Sequence, residues 1–246
     1  MASVYLSPST QEYNITLNGG NEEYYMNLIA DAMIPYLEAS GITYGRNSPD
    51  MTALEAAEQA NAGDYDFYLA IHSNAASEGY SGRVRGAEIY YYPQSIQGER
   101  AATVFANNYK EIYPEPEYVV TIPLGTLIEL NKTRMPAILF EVAYHDNQAD
   151  FEWLSTNIGE IAENLSLSVA DYLNVPFRRP RHYARGTVET SSGNLNIRRS
   201  PNIVSQVIGK LANGETVNVL EGMNGWLRIE KGNLTGYVDS RFIRQT

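Results

Sequence analysis

Two carboxylates and one imidazole stand where their chemistry would matter. The run AILFEVAY, residues 137–144, sets Glu141 among apolar neighbours. An unpaired carboxylate buried in such a strand costs several kcal/mol, comparable with the whole stability margin of a domain. It therefore calls for a counter-charge, a metal or a proton-transfer task, and Arg134 is the counter-charge available nearby. The run LAIHSNAA, residues 69–76, puts His72 at the end of another apolar strand. In open α/β sheets that edge is where ligands bind, and a neutral ring nitrogen is a common metal ligand. A hydrogen-bonded structural histidine is the alternative. Glu22 follows Asn21, a good helix N-cap, and lies four residues before Met26, so it extends the buried face of the helix by one turn. Its alternative role is to complement the helix dipole, together with Glu23. His145, Asp146 and Asn147 follow a strand and suit the capping of a turn or of the next helix. His182, among linker arginines, reads as exposed.

These side chains need elements to hold them. Residues 4–7, 42–46, 65–73, 87–92 and 137–144 read as strands, several of them apolar throughout, as strands covered on both faces should be. Residues 22–39 read as a helix whose Met26, Ile29, Ala30, Met33 and Leu37 share a face. TALEAAEQANA, RAATVFANNYKEI and NIGEIAENLSLSVADYL give further helices. The alternation predicts an α/β domain over residues 1–175, a mostly parallel sheet sandwiched by helices. Residues 113–135 fit no element and are expected to form a substrate-facing loop. Two prolines and a cluster of arginines mark a linker at 176–185. Residues 186–246 then show short alternating strands broken by Asn-Gly and Gly turns, the pattern of a small all-β barrel.

Composition narrows the function. The 246 residues include no cysteine, which excludes disulfides, thiolate zinc sites and cysteine nucleophiles. No run of eighteen apolar residues occurs, so no membrane span is expected. Residues 1–175 carry 7 basic against 24 acidic side chains, and residues 176–246 carry 11 against 5. The asymmetry suggests two modules with different tasks. The basic tail suits a polyanionic partner such as a cell-wall polymer, or simply solubility, while the acidic first part argues against a nucleic-acid groove. There is no G-x-S-x-G elbow, Walker A loop, H-E-x-x-H pair or G-x-G-x-x-G fingerprint. The N-terminus has no secretory signal pattern.

Three segments in order, VYLSPST with EEYYMNLIAD, then IHSNA, then PAILFEVAYHDN, resemble the zinc-dependent N-acetylmuramoyl-L-alanine amidases of bacteria and their phages, over about residues 3–173. The resemblance implies Zn2+ held by a histidine after the first strand, by Glu22 and by His72, with Glu141 as catalytic base. Zinc would polarise the scissile carbonyl and lower the pKa of its water to about 7. The first ligand is where this chain departs: the loop LSPSTQEYN has Tyr13 where the most similar subgroup carries histidine, or Thr10 if aligned on the proline. Tyrosine binds a metal only as phenolate, against an ordinary pKa near ~10. Tyr68 is a second aromatic close to the site by sequence. Asn74 and Arg134 are the expected substrate-binding residues, Asn74 also orienting the segment that carries His72. The tail resembles a bacterial Src-homology-3-like domain, which implies peptidoglycan binding. The expected activity is hydrolysis of the amide between N-acetylmuramic acid and L-alanine at the bacterial cell wall, by an autolysin, a phage endolysin or a shortened chain. The rival is a peptidoglycan-binding protein impaired in catalysis by the missing histidine. A surface or coat component is a third class.

Overall fold

The computed structural model describes residues 1–180, 184–232 and 234–245, with the side chains of Glu221 and Met223 left aside. His182 lies outside the described residues.

Six strands form the first sheet: β1 (Ser3–Pro8), β2 (Thr43–Arg46), β3 (Phe67–Asn74), β4 (Ala87–Tyr91), β5 (Val119–Pro123) and β6 (Ala137–Tyr144). Their order is β2-β1-β3-β6-β4-β5. The first four run parallel; β4 runs against β6 and carries β5 parallel to itself. The apolar runs of β1, β3 and β6 occupy the middle of the sheet and are buried almost throughout. Helices cover both faces, as parallel strands require.

Alternation along β3 sorts its residues. Phe67, Leu69 and Ile71 join the larger core, under α1 (Glu22–Ala39), α3 (Ile96–Tyr109) and α6 (Ile158–Tyr172). Tyr68 and Ala70 join a smaller core on the other face, with Tyr5, Leu139, Ala56 and Ala60 of α2 (Ala53–Ala62), and Leu130 of α4 (Ile128–Asn131). By the two-residue period of a strand, His72 shares the face of Tyr68 and Ala70. Asn21 caps α1 by accepting from the Tyr24 amide at 2.9 Å. Thr52 and Glu55 form a capping box on α2. Asn147 caps α5 (Gln148–Thr156), which puts the His-Asp-Asn run at a helix start.

Residues 113–135 are more ordered than a loop. They hold a 3-10 turn at Pro116–Tyr118, strand β5 and helix α4. The departure has a physical reason. An edge strand with exposed side chains and a four-residue helix are both too short or too polar to show periodicity.

The C-terminal part is all antiparallel: β7 (Ala184–Val188), β8 (Leu195–Arg198), β9 (Val207–Leu211), β10 (Thr216–Met223), β11 (Trp226–Lys231), β12 (Leu234–Asp239) and β13 (Ile243–Gln245), in the order β13-β7-β10-β11-β12-β8-β9. One core takes residues from all seven strands, among them Val188, Ile197, Leu211, Val219, Ile229, Val238 and Ile243, so the sheet wraps around it. The β10–β11 hairpin turns on Asn224 (φ 41°) and Gly225 (φ 83°), the two positive-φ positions that a two-residue turn of this hand requires.

The barrel is docked on the α/β domain. Tyr237 of β12 is buried in the larger core, and its hydroxyl would meet a Cβ built on Gly159 at 2.7 Å. The Arg228 guanidinium lies 4.8 Å over the Tyr36 ring and 3.7 Å from Glu163. Asn224 donates to Asp31 at 3.1 Å. Some of the tail's basic charge thus meets the acidic domain of its own chain.

Candidate active site

The C-terminal ends of β1, β3 and β6 bring the polar groups together. Parallel pairing sets His72 beside Glu141, and the antiparallel β4 sets Glu88 on the far side of Glu141. Paired residues on neighbouring strands share a face, so one imidazole and two carboxylates form a row across the sheet. Glu22 approaches from the head of α1, and Glu129 closes the row from α4.

His72 is gripped on both ring nitrogens. Nδ1 lies 3.0 Å from Glu22 Oε1 and Nε2 lies 3.1 Å from Glu129 Oε2. Glu22 also accepts from the Ser73 amide at 3.3 Å and from Asn14 Nδ2 at 2.6 Å. Glu129 accepts from Ser7 Oγ at 2.6 Å and from the Tyr68 hydroxyl at 2.7 Å. Both carboxylates are almost wholly buried. Burial alone would raise their pKa values, but His72 and the neutral donors outweigh it and hold both below the usual range. Burial alone would lower the ring's pKa, but hydrogen bonds to Glu129 and Glu22 raise it well above the ordinary value. Carboxylates on both ring nitrogens thus favour the protonated ring.

Glu141 is in a different state. Its Oε2 is buried with no hydrogen-bond partner. Burial pushes its pKa up to about 8, with His72 opposing and the carboxylates of Glu22, Glu88 and Glu129 adding to the rise. Glu88, by contrast, accepts from Asn74 Nδ2 at 3.0 Å, from the Tyr144 hydroxyl at 2.9 Å and from the Tyr90 hydroxyl.

The expected site residues separate on this geometry. Glu22, His72 and Glu141 come together. Tyr13 does not: its side chain is 73% exposed and its hydroxyl donates to Gln11 Oε1 at 3.3 Å. The cause is a turn in which the Asn14 amide donates to the Gln11 carbonyl at 3.2 Å, sending residues 12 and 13 outward and 11 and 14 inward. Gln11, absent from the sequence reading, reaches His72 Nδ1 at 3.4 Å. Thr10 only lines the cleft. Arg134 precedes β6, at the end of the strand opposite to the site, and lines a separate cavity with Tyr92 and Gln97, so it neither pairs with Glu141 nor faces this cleft. The Asn74 side chain is engaged by Glu88 and by the Ala75 amide, which makes it a positioning group. His145 is structural, with Nδ1 2.9 Å from both Ser73 Oγ and the Ser73 carbonyl. Asp146 accepts from the Ala76 and Gly82 amides and ties down the loop between them. Glu129 was not legible as a site residue; its only signal is an acid between Ile128 and Leu130.

A cleft of about 770 Å³ opens above His72 and Glu129, walled by the loop after β1 and by residues 47–53 ahead of and within the start of α2. A catalytic zinc site needs three protein donors facing one point. Here Glu22 and Glu129 occupy opposite nitrogens of a single ring, and the next neighbour on the Nδ1 side is a carboxamide. Among the described residues no three His, Cys, Asp or Glu side chains are grouped to hold a metal. The residues present do not fit a catalytic zinc. No helix among the described residues is long and apolar enough to cross a membrane.

The fold agrees with what the chain is similar to. Among solved structures, the N-acetylmuramoyl-L-alanine amidase AmiC2 of Nostoc punctiforme is 21% identical, with a TM-score of 0.61 over 70% of this chain and 97% of that one. The catalytic domain of the amidase CwlV of Bacillus (Paenibacillus) polymyxa is 16% identical, with a TM-score of 0.61 over 72% and 100%. The catalytic domain of an endolysin targeting Clostridium difficile is 18% identical, with a TM-score of 0.56 over 70% and 98%. These likenesses speak for the fold. No match was found among curated proteins. The family model for bacterial SH3 domains matches residues 193–244. The model for N-acetylmuramoyl-L-alanine amidases matches residues 10–171, more than half of the chain, and the protein belongs to that family of peptidoglycan hydrolases.

Proposed function

We propose that this chain acts at the bacterial cell wall on the amide that joins N-acetylmuramic acid to L-alanine in peptidoglycan, with the SH3-type barrel gripping the polymer. The observation that carries the reading is Glu141, a carboxyl with a buried, unpartnered oxygen beside His72 at the sheet's C-terminal edge. A group whose pKa lies at about 8 exchanges its proton near neutral pH. As a carboxylate, Glu141 takes a proton from the attacking water as oxygen bonds to the carbonyl carbon. As an acid, it returns that proton to the departing alanyl nitrogen when the C–N bond breaks. General acid–base help of this kind is worth roughly 10²- to 10⁴-fold in rate. Zinc would polarise the carbonyl if bound, but the donor set does not fit it, and no step is assigned to it.

A second reading is favoured by the carboxamides of Gln11 and Asn14, which face Glu22 and His72 where a third acidic or imidazole donor would complete a metal centre. On it, the cleft recognises the muramoyl peptide without cutting it. Incubation with purified sacculi separates the two. Release of new alanyl amines that is lost in Glu141→Gln supports hydrolysis. Release unchanged by that substitution overturns the role of Glu141. Co-sedimentation with sacculi and no release selects the second reading.

A further inference from the structure

The loop after β1 and helix α4 each put a side chain on His72 that neither the family likeness nor the sequence assigns. We propose that the Glu22–His72 pair is a divalent-metal centre lacking one ligand, that Gln11 stands in the missing ligand's place, and that Glu129 is the positioning residue that aims His72 at that place. The proposal rests on the amidase reading only for the choice of zinc.

Three sets of contacts carry it. First, Glu22 Oε1 and His72 Nδ1 are 3.0 Å apart on one side of the ring. Two donors bound to one zinc at 2.0–2.1 Å lie about 3.3 Å from each other, so this pair already has nearly the spacing of two ligands. Second, Gln11 Nε2 approaches the same Nδ1 at 3.4 Å, and Asn14 Nδ2 bridges Gln11 Oε1 at 3.0 Å and Glu22 Oε2 at 2.6 Å. The open side of the pair is thus closed by amide N–H groups, which repel a cation. Third, Glu129 accepts from Nε2 and is itself fixed by Ser7 and Tyr68. A metal-bound histidine typically gives its second N–H to a carboxylate in this way, which sets the tautomer and leaves the other nitrogen for the ion. Glutamine and histidine carry their terminal nitrogens at similar reach from the backbone, so Gln11→His can present a ring nitrogen where the carboxamide now lies. Tyr13 lines the outer part of the same cleft, 73% exposed, with its hydroxyl on Gln11 Oε1.

Metal content decides the matter. Each protein is equilibrated with zinc, passed through a desalting column and analysed by plasma mass spectrometry, with affinity from calorimetry. The chain as it is and Tyr13→His should each retain little zinc, below about 0.1 per chain, whereas Gln11→His should retain about one, with affinity raised at least ~100-fold by the third ligand. Adding Glu129→Gln to Gln11→His should lower that affinity by roughly 10- to 100-fold. Circular dichroism checks the fold. If Gln11→His does not fold, Asn14→Asp, which sets a carboxylate beside Glu22 Oε2, should raise retention instead. One zinc per chain in the unaltered protein, or a gain with Tyr13→His and none with the inward variants, overturns the proposal. These readouts concern metal alone, so their failure leaves amide hydrolysis by Glu141 standing or falling on the sacculus assay.

Discussion

Glu129 Oε2 lies 3.1 Å from His72 Nε2, and that contact ties the four-residue helix α4 to the end of β3. Because the contact is charge-assisted and buried, it restrains both elements.

Glu129→Gln keeps the shape and removes the charge. It should cost about 1.5–3 kcal/mol, the range for a hydrogen bond to an ionised group. Urea unfolding measures the loss. Nitrogen-15 NMR of the His72 ring should show its titration moved to lower pH, since the carboxylate that most favours the protonated ring is gone. An unmoved ring would mean that Glu22 alone sets its state.

Glu141 predicts an unusual pH response. Its pKa rises on folding from 4.5 to about 8, so the folded chain binds more protons than the unfolded one between those values. Stability from this group therefore falls as pH rises from about 4.5 to about 8, and levels off beyond. Glu141→Gln should be more stable than the parent at pH 8, by on the order of a few kcal/mol, and nearly equal to it at pH 4. Denaturant midpoints over that range check it; parallel curves for the two proteins would refute the assignment.

Asp150 holds the exit of β6. It is fully buried, accepts from the Gly86 and Tyr144 amides at 2.9 Å each and from the Tyr113 hydroxyl at 2.5 Å, and lies 3.4 Å from Arg85 Nε. Asp150→Asn takes the charge from Arg85 and puts an amide donor among donors. A loss of about 3–5 kcal/mol is expected, read as a lowered urea midpoint.

Gly159 sits under Tyr237, with room for no Cβ. Gly159→Ala should push the barrel off α6 at a cost of about 1–3 kcal/mol. The measurable sign is faster tryptic cleavage after Arg178, whose backbone amide is held in the docked state by Ser40.

Much of the catalytic sheet was legible because its central strands are apolar on both faces, and an acid such as Glu141 stands out against such a run. Glu22 was legible from its helix cap. Glu129 was not, because one acid in LIEL looks like any solvated helix, and burial by Ser7, Tyr68 and His72 comes from positions 57 to 122 residues away. Tyr13, where the sequence lacks its expected histidine, is largely exposed for a related reason. Residue type was weighed there, but a turn decided which side chains face inward, and it favoured Gln11 and Asn14. The reversed direction of β4 also leaves no trace in composition, since Ala87 and Ile89 would face the core in either sense.

The seat of Tyr237 and Arg228 on α1 and α6 gives the molecule the character of a caliper. Slack between anchor and cleft is taken up by the docked contact, so reach is set by the helices instead of by the chain joining the two parts. If the barrel grips the wall polymer as proposed, the cleft meets that polymer at one set distance, and spacing along it becomes a criterion of selection alongside chemistry.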